Sequence, residues 1–529
     1  MCILSGMPAT TQLERTPAAQ TNRARSRRLR AGWRIPVLVG VLALAIRLFV
    51  VLRGGGLYGY LGYDDGVYFA AATALVSGRL PYQDFVLLHP PGIALLLTPF
   101  AALGRLTSDS DAMAVARVSF MVLAAVNAGL TVRVASVLGR RAALTAGGFV
   151  AGWVCAVYGD RTTLLEPVGS LALLTALLLL WPARSRRRLT EPHAQLLAGV
   201  VLGLACCVKV WNGVPFVVVA GAVLVTQGRQ AAVRLVLAAA AAGAAILGPF
   251  LVRAPGATIR MVVLDQLSRP EIGSSPVERL PRLIGVLPYL SEDHAVAVVA
   301  VTLVAGAALA ALTVSALRAR EARLWVALLV AHGLVLLAAP IYLNHYSSFL
   351  TVPLALVLGA SAAVVSDRLR ARGSHKVDRV AAVAAVTTLV LLGLGSLARP
   401  LGEHFPGKRL AAHLPVSGCV RSDVPTALIQ LDVLSRDLER GCPVPVDFTG
   451  QTYDRLARQG LDGSPLPRDA NPAWQAYVRD YLTSGSALVL VRGSNNGFDA
   501  TTQQLFRSLP VLGRVGEHAV LGPLDPGDR

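Results

Sequence analysis

Two adjacent acids, Asp64 and Asp65, follow an apolar stretch of helix length, and His89 precedes Pro90, Pro91 and Gly92 at the head of the next one. Two further polar groups interrupt the apolar pattern. Asp160, Arg161 and Glu166 lie in "GDRTTLLEP"; Asn344, His345 and Tyr346 lie in "YLNHYSSFLTVP". A carboxylate at the edge of an apolar phase can take a proton as general base. Imidazole, guanidinium and phenol groups at the same level can hold a phosphate or a sugar. Each group also has a plainer explanation. Asp64 and Asp65 open "DDGVYFAAATALVSG", whose acidic start, small apolar body and closing Gly78 are the pattern of a capped helix. His89 and Tyr346 fit an interfacial belt with a polar tip in water. Arg161 can simply pair with Asp160 or Glu166. Glu166, one residue before Pro167 at the lip of a strongly apolar run, is the hardest to explain as structure, because a carboxylate at that depth is costly.

The elements that must position these residues are membrane helices. Of the 529 residues, 54% are hydrophobic and 15% charged, and the mean hydropathy is +0.56. The apolarity comes in blocks of about 18–25 residues, the length that crosses a bilayer. They fall at 35–52, 89–105, 113–137, 142–158, 164–182, 194–211, 213–227, 231–252, 294–317, 323–343, 347–366 and 379–398. The expected class is an all-α polytopic membrane protein of about 11–13 transmembrane helices. A basic tail, 1–32, is expected to be disordered and cytoplasmic. The membrane domain is 33–399, with polar loops at 53–88 and 253–293.

The net charge of +19 does not point to nucleic acid. The basic residues cluster between apolar blocks, as the positive-inside rule requires: Arg23 to Arg34, "RSRRR" (Arg184 to Arg188), "RAREAR" (Arg318 to Arg323) and "DRLRARGSHKVDR" (Asp367 to Arg379). Taking those loops as cytoplasmic puts Asp160 to Glu166, 253–293, "YLNHY" and everything after 400 on the opposite face. The acids after Gly62 join them, since the first block crosses once. Two blocks then separate that loop from basic Arg140, so both cannot cross simply. Either block 89–105, short and carrying Pro90, Pro91 and Pro99, is re-entrant or lies along the surface, or one crossing between these blocks is misplaced.

Residues 400–529 read as a small extracytoplasmic α/β domain. "SALVLVRG" (Ser486 to Gly493) has the pattern of a buried strand, and "PAWQAYVRDYLTSG" (Pro472 to Gly485) that of a helix with Pro near its start and Gly at its end. Cys419 and Cys442 would meet an oxidising compartment there and are expected to pair. Cys155, Cys206 and Cys207 sit in apolar blocks as small core residues. No Cys/His grouping has zinc-ligand spacing.

Together these stretches resemble the GT-C glycosyltransferase superfamily, most closely the branch of protein O-mannosyltransferases and aminoarabinose transferases. The matching residues are Asp64 and Asp65 with Tyr68, Gly78, His89-Pro90-Pro91, Arg117, Gly139-Arg140-Arg141, Arg161 with Glu166, and "HYSSFLTVP". They cover mainly 60–182. The resemblance implies a sugar donor carried on a polyprenyl phosphate, a cell-envelope acceptor (lipid, polysaccharide or protein) and inversion at the anomeric carbon. It makes Asp64 the general base, with Asp65 and Glu166 as further catalytic acids. Tyr68, His89, Asp160, Arg161, His345 and Tyr346 would contact substrate. It implies no resident cofactor, and branches of the superfamily differ in their use of a divalent metal. The sequence departs from the pattern where His89 stands for Lys, His345 for Arg and Glu166 for Asp. Both histidines weaken fixed positive charge near neutral pH. The expected location is a bacterial plasma membrane with the N-terminus cytoplasmic. A transporter or flippase of lipid-linked sugars would show intramembrane charges and internal repeats; Arg47 and Lys209 are the notable intramembrane cations, and there is no repeat. A membrane scaffold that binds envelope polymer would show no transfer activity.

Overall fold

A computed structural model describes residues 17–181, 190–267, 269, 275–287, 292–460 and 465–523. The "RSRRR" loop lies outside them. Among the described residues, seven helices are long and apolar enough to cross a membrane: Gly32–Arg53, Asp109–Leu138, Val210–Gln227, Arg229–Arg253, Ala295–Ala316, Asn344–Ala371 and His375–Leu397. Three shorter apolar helices, Gly92–Gly104, Glu166–Leu180 and Ala322–Ala338, pack among them. The chain is therefore a helical polytopic membrane protein with a small C-terminal α/β domain.

In chain order the first ten helices are α1 (Pro17–Arg53), α2 (Asp64–Val76), α3 (Gly92–Gly104), α4 (Asp109–Ala135), α5 (Arg140–Gly152), α6 (Val154–Gly159), α7 (Glu166–Leu180), α8 (Glu191–Cys206), α9 (Gly213–Gln227) and α10 (Arg229–Arg253). Helix α1 reaches back to Pro17, into the stretch expected as a disordered tail. Ala, Gln and Arg there are good helix formers, and the membrane segment supplies the nucleus from which the helix extends. Helix α1 packs against α4 and α5, α8 against α7 and α10, and Thr351–Ala371 against α5. Block 89–105 yields α3, whose 13 residues rise about 20 Å, short of the roughly 30 Å hydrocarbon core. Its start is fixed by contact. Gly92 N donates to Cys207 O at 2.8 Å, and a Cβ at Gly92 would sit 2.4 Å from that oxygen.

Helix α2 forms within the polar loop because its sequence suits burial rather than water. Two acids in its first turn favour the helix dipole. The residues from Asp65 to Ala74 are all buried, and a helix apolar on every face is a buried helix. It ends at Gly78, which holds a φ of +82°.

Helix α2 is covered by the C-terminal domain. Four strands, β1 (Val420–Ser422), β2 (Ala487–Val489), β3 (Val511–Val515) and β4 (His518–Leu521), form a sheet in the order β1-β2-β4-β3. The pair β1/β2 is parallel and the others antiparallel. The strand read at Ser486 to Gly493 is β2, and the helix read at Pro472 to Gly485 runs Pro472–Thr483. Asn471 caps that helix by accepting from Trp474 N at 3.2 Å. Cys419 and Cys442 are joined, with Cα atoms 5.9 Å apart. One hydrophobic core runs continuously from Val67, Phe69 and Ala70 of α2 to Val420, Leu428, Val489 and Val520 of the domain. At Gly66 the approach is closest: a Cβ there would lie 2.1 Å from Thr426 Oγ1 and 2.7 Å from Thr426 N. The third residue of the Asp-Asp-Gly motif is thus the seat of the C-terminal domain.

Candidate active site

The adjacent acids diverge because successive helix residues point about 100° apart. Asp65 turns inward and is fully buried. Its Oδ2 accepts from Arg117 Nη2 at 2.7 Å, Arg117 Nε at 3.2 Å and Thr162 Oγ1 at 2.7 Å. Arg117 also donates to the carbonyls of Leu57 and Gly59. The pair ties α4, the 53–63 segment and the loop before α7 to the start of α2.

Asp64 turns outward. Its side chain is 29% exposed, and Oδ2 stands 3.6 Å from His345 Nε2. It makes no ion pair with Arg or Lys among the described residues. Burial pushes its carboxyl up to about 6; Asp447 and Glu166 add to the rise, while Arg269 and Lys209 oppose it.

Around Asp64 stand groups from several separate segments. Glu166, at the start of α7, accepts from Lys209 Nζ at 2.6 Å through Oε1, and its Oε2 is buried with no partner among the described residues. The Lys209 ammonium also lies 4.2 Å from the centre of the Trp211 ring and 4.1 Å from that of Tyr346, within cation–π range. The Tyr346 ring meets His345 edge-on at 4.6 Å. Tyr68, one turn along α2, meets the His89 ring edge-on at 5.5 Å. Burial holds the His89 imidazole well below its ordinary value, and Arg269, Lys209 and His345 reinforce this. At neutral pH it is a neutral hydrogen-bonding group rather than a fixed charge. Arg269 comes from the 253–293 loop. Its guanidinium stacks 5.0 Å from the Tyr453 ring centre, and its Nε is buried without a partner among the described residues.

No family model and no curated protein sequence matches the chain. Solved structures do. ArnT from Cupriavidus metallidurans bound to undecaprenyl phosphate superposes with a TM-score of 0.57 at 15% identity, over 93% of this chain and 98% of that one. The oligosaccharyltransferase AglB from Archaeoglobus fulgidus, in complex with an inhibitory peptide and a dolichol-phosphate, superposes with a TM-score of 0.56 at 10% identity, over 87% of this chain and 69% of that one. The chain has the GT-C fold.

Within the GT-C fold the residues singled out from the sequence divide in two. Asp64, Tyr68, His89, Glu166, His345 and Tyr346 lie around one site. Asp65, Asp160 and Arg161 are committed elsewhere. Asp160 accepts from Arg47 at 2.7 and 3.2 Å, so the intramembrane Arg47 is held by that acid and by the carbonyls of Ala43, Val150 and Ala151. Arg161 donates to Leu61 O at 2.5 and 3.1 Å and to Tyr158 O. These buried pairs join helices and loops; breaking one leaves an uncompensated charge. Three site residues escaped the sequence reading: Lys209, Arg269 and Asp447. Lys209 carried a signal, a single cation in an apolar run. Arg269 and Asp447 carried none, being ordinary charged residues in polar segments. No grouping of three or more His, Cys, Asp or Glu suited to a metal occurs among the described residues.

Proposed function

We propose that this protein transfers a sugar from a polyprenyl-phosphate donor to a cell-envelope acceptor on the extracytoplasmic side of a bacterial plasma membrane, with inversion. Asp64 is the general base. The observation that carries the reading is the contrast within the acid cluster. Asp65, Asp160 and Glu166 each hold a cation at hydrogen-bond distance, whereas Asp64 keeps a part-exposed carboxylate facing an imidazole. That ArnT has been captured with undecaprenyl phosphate and AglB with dolichol-phosphate on the same fold supports a polyprenyl-phosphate carrier.

The chemistry assigns each group a task. The acceptor hydroxyl attacks the anomeric carbon, and its proton passes to an Asp64 oxygen. The bond from that carbon to the phosphate oxygen breaks, and the electron pair leaves on the phosphate. Lys209 and Arg269 meet the charge that develops there, and His89 and His345 donate hydrogen bonds. The ammonium is already braced by Glu166, Trp211 and Tyr346, so little reorganisation accompanies the step. A base with a pKa near 6 is ionised at neutral pH yet basic enough to accept the proton as the bond forms. The Tyr68 and Tyr346 rings offer apolar faces to the sugar. The test is release of polyprenyl phosphate by the purified protein in nanodiscs from a panel of polyprenyl-phosphate sugars. Release by the wild type and its loss in Asp64→Asn support the reading; no release from any donor, with crude envelope as acceptor, rejects it.

A further inference from the structure

The C-terminal domain approaches the residue next to Asp64 through Asp447. Asp447 lies between Val446 and Phe448, both buried in the domain. Its Oδ1 accepts from Tyr63 OH at 3.0 Å and from Gly450 N at 2.8 Å. Tyr63 in turn accepts from Thr449 N at 2.7 Å, and the guanidinium of Arg492 covers its ring at 5.1 Å. Tyr63 is the N-cap residue of α2 and the immediate neighbour of Asp64, and its side chain makes no capping bond of its own. The phenol is therefore a post between the domain and the base. Burial raises the Asp447 carboxyl above its ordinary value, opposed by Gly450 N–H, Tyr63, Arg269 and Arg468.

We propose that Asp447 is a positioning residue through which the C-terminal domain sets the orientation and the protonation of Asp64. This rests on Asp64 being the base. Two actions are separable. The hydrogen bond to Tyr63 fixes the first turn of α2. The negative charge of Asp447 disfavours ionisation of Asp64, as one carboxylate does to another nearby. The remaining charged or titratable groups facing Asp64 are His345, Glu166, Lys209 and Arg269, with the phenols of Tyr60, Tyr68 and Tyr346. None of these belongs to the C-terminal domain, so Asp447 is its lever.

Two variants distinguish the actions. Asp447→Asn retains an oxygen that accepts from Tyr63 and Gly450 but removes the charge. Tyr63→Phe retains the charge but removes the post. Asp64 titration is read from the pH at which the effect of Asp64→Asn on the thermal midpoint stops growing as pH rises, in the wild-type and in each variant background. This reading needs no turnover, so it stands or falls separately from the transferase assignment, which the release assay tests. In the Asp447→Asn background that pH moves down by about 0.5–1; with Tyr63→Phe it stays in place. In the release assay the acid limb of kcat/KM moves down with Asp447→Asn, while Tyr63→Phe lowers kcat without moving the limb. The proposal is overturned if Asp447→Asn leaves the Asp64 transition in place, or if Tyr63→Phe moves it as far. A structural role alone would lower the thermal midpoint in both variants and shift neither profile.

Discussion

Replacing either member of the Asp64-Asp65 pair with Asn should change stability in opposite directions, and this is the sharpest test of the geometry. The folded protein raises the Asp64 carboxyl from an ordinary 3.8 to about 6. It therefore binds that proton more tightly than the unfolded chain does. Below about pH 4 both states are protonated, and the site costs nothing. As pH rises toward 6 the unfolded chain ionises first, so folding loses stability; above 6 the loss is complete. The interval corresponds to about 3 kcal/mol. Solvent on a side chain 29% exposed reduces this to roughly 1–2 kcal/mol. Asp64→Asn removes the unfavourable charge and should raise the thermal midpoint by about 1–3 °C at pH 7.5, with no difference near pH 4. Turnover should fall by about 10²–10⁴-fold in the same variant. Asp65→Asn leaves Arg117 buried opposite a neutral amide and should cost roughly 3–5 kcal/mol. The assay is thermal unfolding in nanodiscs across pH 4–8 beside polyprenyl-phosphate release. An Asp64→Asn protein destabilised at pH 7.5, or one that keeps wild-type turnover, would refute the assignment of Asp64 as the strained, working acid.

Other substitutions test the cationic side of the site. Arg269→Gln should raise KM for the polyprenyl-phosphate donor by roughly 10–100-fold, the loss of one charge-assisted contact to phosphate, with the midpoint nearly unchanged; a KM unaltered by the change would remove Arg269 from donor binding. Lys209→Met strands the Glu166 carboxylate and should cost about 3–5 kcal/mol by thermal unfolding, whereas Lys209→Arg should keep most of the stability and lose part of kcat. Replacing Cys419 and Cys442 together by Ser opens a link between residues 23 apart and should cost about 3 kcal/mol, read as a lower midpoint that the wild type reproduces under reductant.

The membrane architecture was legible from the chain because the bilayer imposes one strong rule. Backbone groups in hydrocarbon must be satisfied internally, so apolar blocks of sufficient length become helices. Block 89–105 forms α3, and its start at Gly92 is set by contact with Cys207, a partner the sequence did not indicate. The motif order from Asp64 to Glu166 led to the GT-C fold even though no family model matches the chain. What the motifs could not convey was which acid is free. Asp64 and Asp65 are equivalent on paper, and their separation depends on the 100° between neighbours on α2 and on Arg117, more than fifty residues away. Asp160 and Arg161 looked like site residues because they lie in the polar break before an apolar run and fit the resemblance's second-loop pattern. Their partners Arg47, Leu61 and Tyr158 are fixed only by packing.

The second illegible part concerns the C-terminal domain, which seemed a separable module with no assignable role. The continuous core between α2 and the strands, and the close approach of Gly66 to Thr426, make it the other wall of the site. A domain that docks on α2 cannot shift without moving Asp64. Divergence in the domain's loops would then alter the space above Asp64 while the membrane helices stay fixed. Under the transfer reaction proposed above, acceptor choice would belong to the wall that carries Asp447 and Tyr453, and donor binding to the one that carries Lys209 and Glu166. Arg269, from the 253–293 loop and stacked on Tyr453, is where the two meet.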